Sequence, residues 1–457
     1  MRNALSSPYP FLAILGLLAA AIAAPAAAAE PGEPYLVRDI DTTGEAYFPD
    51  CHVTCPPPTP IFGSLIEQLT PFGDLLAFVA NDRLHGFEPW ISDGTSEGTR
   101  LLADVCPGAC DSSPELLGVL DGRLYFWAVS PASGGADLWV SDGSPEGTRP
   151  LTELCPELCG TLGEGPGVVF EGALFFSAYD AVQSRRFLWR TDGTPAGTDR
   201  VVPVCTRTDV CFESFSNFFV YRGRLFFNDW ANLRRLDRPE AEPAIAWAGT
   251  PDSAARLGDQ MILAVDASFP GLWIMDGPLA VPRLLAAVGA GASVSQLTAV
   301  DGFVYFVRSS GQGHELWRTD GTAEGTEATA PFLDGRLGMT IVGILDGGLV
   351  VRVHPDPGLL PVVPPTLWWL NPAGGPQEAL SSLPVQSVAV VGDRIFFSAE
   401  GGEARGRELW LSDGTGEGTE LHADIAPGPP SSEPGNGGRF VTGFAAAGDR
   451  LFFPAHH

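Results

Sequence analysis

No lysine occurs in the 457 residues; all 27 basic residues are arginine, set against 55 acidic ones. That absence excludes chemistry built on a lysine amine, such as a Schiff base or a phosphate-loop ammonium. The net charge of −28 argues against nucleic acid or an anionic membrane as partner, because phosphate contacts need a basic face. The acidity reads instead as a solubility device. Histidine is also scarce. Of seven, His456 and His457 close the sequence and the others are scattered. H-E-x-x-H and a Gly-rich phosphate loop are both missing. An enzyme assembled from residues far apart in sequence leaves no such motif, so the enzyme reading is weakened and not removed.

Long apolar runs are few. The one at Phe11–Ala23 follows Arg2 and precedes the small residues Ala27-Ala28-Ala29. This is the pattern of an export signal, too short and Ala-rich for a membrane span. The expectation is a signal peptide over 1–29 and a single domain over 30–457, secreted to the periplasm or the cell exterior, with no span in the mature chain. A single copy is expected.

What the chain has in abundance is repetition. ELWLSDGTGEGT (408–419) returns as ADLWVSDGSPEGT (136–148) and HELWRTDGTAEGT (314–326). Trp90, Trp139 and Trp189 are spaced 49 and 50 apart; Trp273, Trp317, Trp368 and Trp410 follow at 44, 51 and 42. The gap of 84 from Trp189 to Trp273 leaves room for one degenerate unit near Leu236. Within units, Asp-Gly or Gly-Asp joins β-rich runs, as in LGVLDGRLYFWAV (117–129), LTAVDGFVYFV (297–307) and VAVVGDRIFFSAE (388–400). Such pairs are hairpin signals. Four short strands in each of several 40–50-residue units predict an all-β chain, a β-propeller of four-stranded blades. The load of 55 Gly and 41 Pro excludes a helical repeat.

The ends fit a closed ring. PYLVRDI (34–40) resembles a unit's last strand, and RFVTGFAAAGDRLFFPA (439–455) resembles a unit's first two. Eight units plus a split ninth, short of its third strand, give eight or nine blades, with the termini sharing one blade.

These residues resemble the ELWxxDGT repeat of exported bacterial proteins. Units at Trp90, Trp139, Trp189, Trp317 and Trp410 match clearly. Leu236 has no Trp, GLWIMDGPLA (271–280) loses the Thr, and TLWWLNPAGG (366–375) loses the Asp-Gly. The resemblance implies export and repetition and brings no biochemical activity with it.

The D-G-T-x-E-G-T turn has a local use for every residue: Asp413 accepts backbone N–H groups, while Gly414 and Gly418 take unusual φ cheaply. The functional alternative is calcium, held by Asp413/Glu417, Asp320/Glu324, Asp142/Glu146 and Asp93/Glu97. Calcium takes six to eight oxygens, a turn offers two carboxylates, and Asp192 faces Ala196 instead of an acid. The structural use is favoured, and no cofactor is required. A regularly placed Trp reads as blade packing and not as a cofactor platform.

Eight cysteines fall in four close pairs: Cys51–Cys55, Cys106–Cys110, Cys155–Cys159 and Cys205–Cys211. The linker ADVCPGACDSSP (103–114) has a counterpart, ADIAPGPPSSEP (423–434), in which both cysteines are replaced together. Local disulfides are the simplest reading in an exported chain. Bonds between blades and a metal site are the alternatives.

In an up-and-down blade the D-G and D-G-T turns share one face. The long loops (129–137, 178–186, 398–407) and the stapled linkers share the other. Variable loops on a rigid scaffold favour binding, so the sequence points to a binding or interaction scaffold for protein or glycan on the long-loop face. An extracellular polysaccharide hydrolase or lyase, with acidic groups and Arg or Tyr at a channel mouth, is one alternative. A calcium-stiffened surface protein is the other.

Overall fold

At the Asp-Gly pairs the backbone enters the left-handed region twice in succession: Asp121 and Gly122 at φ 49° and 69°, Asp301 and Gly302 at 47° and 81°, Asp346 and Gly347 at 48° and 72°. These are the dihedrals of tight hairpins whose twist matches paired strands. In the computed structural model every such pair joins the first and second strands of a four-stranded sheet. The structure describes residues 11–15, 35–40, 65–131, 135–153, 166–180, 185–201, 215–229, 231–266, 270–289, 291–311, 313–329, 337–355, 366–371, 377–381, 383–401, 405–427, 432, 434–435, 443–448 and 450–455. Among them all regular structure is strand, and no helix is long and apolar enough to cross a membrane.

Blade 1 comprises Leu65–Phe72, Leu75–Asn81, Phe87–Ser92 and Arg100–Leu101. Blades 2 to 8 repeat the order over 115–153, 168–200, 216–247, 253–287, 293–328, 337–381 and 385–423, each antiparallel throughout. Eight antiparallel blades are thus present, and the worn units at Leu236, Trp273 and Trp368 are blades 4, 5 and 7. A ninth sheet joins the two ends of the chain. Ala445–Ala447 and Arg450–Ala455 stand as its first and second strands and Tyr35–Leu36 as its fourth. Its third place, which the sequence leaves empty, is taken by Phe11–Leu15.

Both faces of each blade are apolar because each is covered by a neighbour. Ala77, Val79 and Ile91 of blade 1 pack with Leu116, Leu124, Phe126 and Ala128 of blade 2. Phe452 of the ninth sheet packs with Ile66, Leu76 and Phe78 of blade 1, which closes the ring. Each buried large side chain contributes about 1.5–3 kcal/mol. In the five clear units the repeat tryptophan lies opposite a phenylalanine of the second strand, with Phe78–Trp90, Phe126–Trp139 and Phe397–Trp410 ring centroids 6.4, 6.0 and 6.3 Å apart. Trp273 and Trp368 face Leu263 and Val351 instead.

The first strands meet around the axis, and there the chain does something the repeat word does not announce. Gln68 and Gln296 sit at bulges with φ of 56° and 60°. Their amides reach the next blade. Gln68 Oε1 accepts Leu116 N–H at 2.7 Å and its Nε2 donates to Pro114 O at 3.1 Å. Gln296 Oε1 accepts Ile341 N–H at 2.6 Å and its Nε2 donates to Met339 O at 3.3 Å. Two hydrogen bonds offset the steric cost of the left-handed backbone.

Candidate functional site

The D-G-T turns come first, because they carry the calcium candidates. In blade 8 the Asp413 Oδ1 accepts the Thr415 N–H at 3.0 Å and its hydroxyl at 2.7 Å. Thr415 Oγ1 in turn accepts the Gly418 N–H at 2.9 Å, and Ser412 and Thr419 share a hydroxyl bond at 2.7 Å. Gly414 has φ 91°, and a Cβ on Gly418 would lie 2.1 Å from the Asp413 carboxylate. Only glycine fits either place. Asp93, Asp142 and Asp320 make the same bonds to Thr95, Ser144 and Thr322. So does Asp192 to Thr194, although Ala196 stands where the others have Glu97, Glu146, Glu324 and Glu417. The glutamate is therefore not needed to shape the turn. Hydroxyl and N–H donors hold Asp142, Asp192 and Asp320 below the usual carboxylate range. At Asp93 and Asp413 burial pushes upward, but the same donors with Arg450 and Arg394 outweigh it. Among the described residues no three His, Cys, Asp or Glu side chains gather closely enough to hold a metal ion.

Gly94-Thr95-Ser96-Glu97-Gly98 spells G-x-S-x-G, the letters of a nucleophile elbow. It lies in the blade 1 copy of this turn, between two strands, whereas the elbow needs a strand-to-helix junction.

On the opposite face, the linker after blade 1 carries the disulfide Cys106–Cys110, with Cα atoms 5.4 Å apart. Cys51–Cys55, Cys155–Cys159 and Cys205–Cys211 lie outside the described residues, as do the centres of the three long loops. A second clamp holds the same linker. Glu88, fully buried on the third strand, accepts the Val105 and Cys106 N–H groups at 3.1 Å each and the Ser112 hydroxyl at 2.6 Å. Burial, the largest influence, pushes its carboxyl up to about 7 against those donors. Glu408 repeats the arrangement with Ile425, Ala426 and Ser432, and is likewise raised by burial. The first letter of the repeat word is thus a linker clamp in blades 1 and 8. The sequence held the signal, since Ser112 and Ser432 occupy the same place in the two matching linkers. Nearby, Asp82 bonds the His85 ring at 2.7 Å, chiefly raising that histidine. His85 lies in the loop before the third strand of blade 1, whereas His314 is inside the strand Gly313–Thr319 and bonds Ser309 at 2.7 Å.

The described cavity with mixed chemistry is elsewhere, on the tight-turn face between blades 6 and 7. It has a volume of about 230 Å³ and is lined by Asp301, Phe303, Tyr305, Arg318, Asp346, Gly347, Trp369 and Asn371. The Asp-Gly hairpins set Asp301 and Asp346 at its rim. The Arg318 guanidinium lies 4.7 Å over the Phe303 ring and donates to Glu327 at 2.7 Å and to the Tyr305 hydroxyl. Trp369 is fixed by its Nε1–H, which donates to Leu345 O at 3.0 Å. Aromatic walls with carboxylate, guanidinium and amide groups at the rim suit a ligand that is apolar on its faces and hydroxylated at its edges. Sequence reasoning missed this site, because its residues come from three strands and two turns of neighbouring units.

No protein family and no curated protein matches the chain. Among solved structures it is similar to prolyl endopeptidases (13% identity over 68% of this chain and 49% of theirs, TM-score 0.41). It is also similar to BamB from Moraxella catarrhalis (13%, 74% and 95%, TM-score 0.41) and to an oligogalacturonate lyase in complex with manganese (14%, 63% and 85%, TM-score 0.36). The chain spans about half the length of the first peptidases it matches. No activity is carried over from likenesses of this size.

Proposed function

We propose that the chain is an exported repeat propeller of the ELWxxDGT kind, acting as a non-catalytic scaffold that binds a glycan between blades 6 and 7. The observation that carries the reading is the pocket itself: Phe303 and Trp369 as walls, Asp301, Asp346, Arg318 and Asn371 as polar contacts. The apolar faces of a sugar ring stack on aromatic walls, and its hydroxyls bridge carboxylate and amide groups. This moves the glycan site to the face opposite the long loops. The long-loop face, with linkers held by Glu88 and Glu408, is the surface offered to a protein partner.

Glycan-array screening of the exported protein tests this, with Asn371→Ala as control. Bound glycans that ignore the substitution would sink the reading. A second reading, a polysaccharide hydrolase or lyase at the same pocket, is favoured by Asp301 and Asp346 standing with Arg318 and Tyr305. Release of reducing ends or unsaturated products from a bound polysaccharide selects it; an unchanged polysaccharide selects the scaffold.

A further inference from the structure

The ninth sheet differs from the other eight in its third strand. In blades 1 to 8 that strand follows the second in sequence and runs antiparallel to it. In the ninth sheet Phe11–Leu15 takes the place and runs parallel to both neighbours, Arg450–Ala455 and Tyr35–Leu36. This segment belongs to the stretch that reads as an export leader. Removal of a leader ending near residue 29 takes the strand away, and no other described segment pairs with the edge of Arg450–Ala455 on that side.

The walls of the place do not depend on Phe11–Leu15. Phe452 is buried against Ile66, Leu76 and Phe78 of blade 1, and Leu451, Phe453 and Ala455 against Phe396 and Leu409 of blade 8. On the far side residues 35–40 are anchored to blade 1. Val37 and Ile40 are buried in its core, the Tyr35 hydroxyl donates to Gly94 O at 3.1 Å, and Arg38 donates to Thr99 O and lies over Trp90. The result is a strand-wide slot with a backbone edge on one side and a fixed segment on the other.

The register states what the slot is shaped for. Phe78, Phe126, Phe306 and Phe397 stand opposite Trp90, Trp139, Trp317 and Trp410. Phe453 occupies the equivalent place in Arg450-Leu451-Phe452-Phe453, matching Arg394-Ile395-Phe396-Phe397, and it stands opposite Ala13. An alanine sits where every clear unit puts an indole.

We propose that in the exported chain this slot is a strand-acceptor site, taking an extended partner peptide of X-Leu-Trp pattern antiparallel to Arg450–Ala455. Main-chain bonds to the open edge supply affinity, and an indole over Phe453 supplies selectivity. The proposal rests on export with leader removal, and its test separates the two. The full chain is produced with its leader in an exporting host, and intact mass gives the N-terminus. The probe is a synthetic peptide of this chain's residues 405–413, which carries Glu408-Leu409-Trp410, added to the exported protein. Binding is read by fluorescence polarisation and by amide exchange at 450–455. The expected result is saturable binding with added protection of those amides. Trp410→Ala in the peptide weakens binding roughly tenfold and Leu409→Pro abolishes it. A mass that retains residues 11–15 overturns the export premise and with it the open slot. A leader-free chain that ignores the peptide, or binds the Trp410→Ala peptide equally well, overturns the slot alone.

Discussion

The Ser432 hydroxyl donates to Glu408 Oε2 at 2.6 Å, and 320 positions earlier Ser112 makes the same bond to Glu88 at the same distance. One linker carries a disulfide and the other has alanine and proline in place of its cysteines, yet both are tied to a buried carboxylate. The carboxylate clamp is therefore the shared device, and Cys106–Cys110 is an addition to it.

Glu88→Gln tests the clamp. Glutamine presents an NH₂ group where one carboxylate oxygen now accepts, so at least one buried donor loses its partner. The expected cost is about 1–3 kcal/mol, read from the urea midpoint. The pH profile gives a second reading. Burial raises the folded carboxyl to about 7, above the ordinary 4.5. Between those values the folded chain holds a proton that the unfolded chain lacks. The contribution is fully present below about 4.5 and lost as pH rises through 7, on the order of 3 kcal/mol. The wild-type midpoint should fall between pH 5 and pH 8, and Glu88→Gln should flatten that fall. Equal slopes in the two proteins would count against it.

Gly325→Ala tests the turn. Its Cβ would sit 2.1 Å from the Asp320 carboxylate, and the turn must open to admit it. The expected loss is about 1–3 kcal/mol, far above that of an ordinary surface change. The same geometry bears on calcium. Each turn aspartate already spends its Oδ1 on a hydroxyl and an N–H. Melting with calcium and with chelator should therefore give one midpoint, and a shift of several degrees would restore a calcium role for Asp320 and Glu324. On acidification the turns act with the opposite sign from Glu88. Asp142, Asp192 and Asp320 are held below their ordinary value, so their contribution is lost as pH falls through the folded value.

Asp301→Asn with Asp346→Asn tests the pocket. Both carboxylates stand on exposed hairpin turns, and Asn tolerates left-handed φ as well as Asp does. Melting should be unchanged while affinity for the selected glycan falls roughly tenfold or more, because each lost charge-assisted bond is worth about 1.5–3 kcal/mol. Isothermal titration of the double variant measures it. Unchanged affinity would move the glycan away from blades 6 and 7.

Particular residues show why some of this was legible in the sequence. Strand and turn come from local chemistry: Asp301-Gly302 dictates a hairpin and Trp317 marks a third strand whatever surrounds them. Both can be read from one unit. The split sheet was legible because 34–40 and 439–455 copy other units. Gln68 and Gln296 were not legible. Their bulges carry no turn residue, and their amides bond the next blade, a partner that only closure of the ring supplies. The pocket escaped for the same reason, since Asp301 and Asp346 look like ordinary turn residues until two blades stand side by side. The occupant of the ninth sheet's third place escaped because Phe11–Leu15 is apolar enough to serve either as leader or as strand.

Blade 4 offers the sharpest test of what the repeat tryptophan does. Opposite Phe227, where other blades place Trp, stands Arg234. Its Nε meets Asp229 Oδ2 at 2.5 Å, the two side chains being 11% and 9% exposed. The worn unit has exchanged an indole for a nearly buried ion pair. Asp229 also accepts the Ala231 and Asn232 N–H groups at 2.9 and 2.6 Å, so it shapes the turn as well. Arg234→Ala removes the guanidinium and strands a charge, and the expected cost is about 3–5 kcal/mol. Asp229→Asn keeps the turn acceptor and removes the charge. The double variant Arg234→Ala with Asp229→Asn should therefore be more stable than Arg234→Ala alone, as read by urea denaturation. If the two losses simply add, Arg234 stabilises blade 4 by packing its stem against its neighbours, and the ion pair contributes nothing.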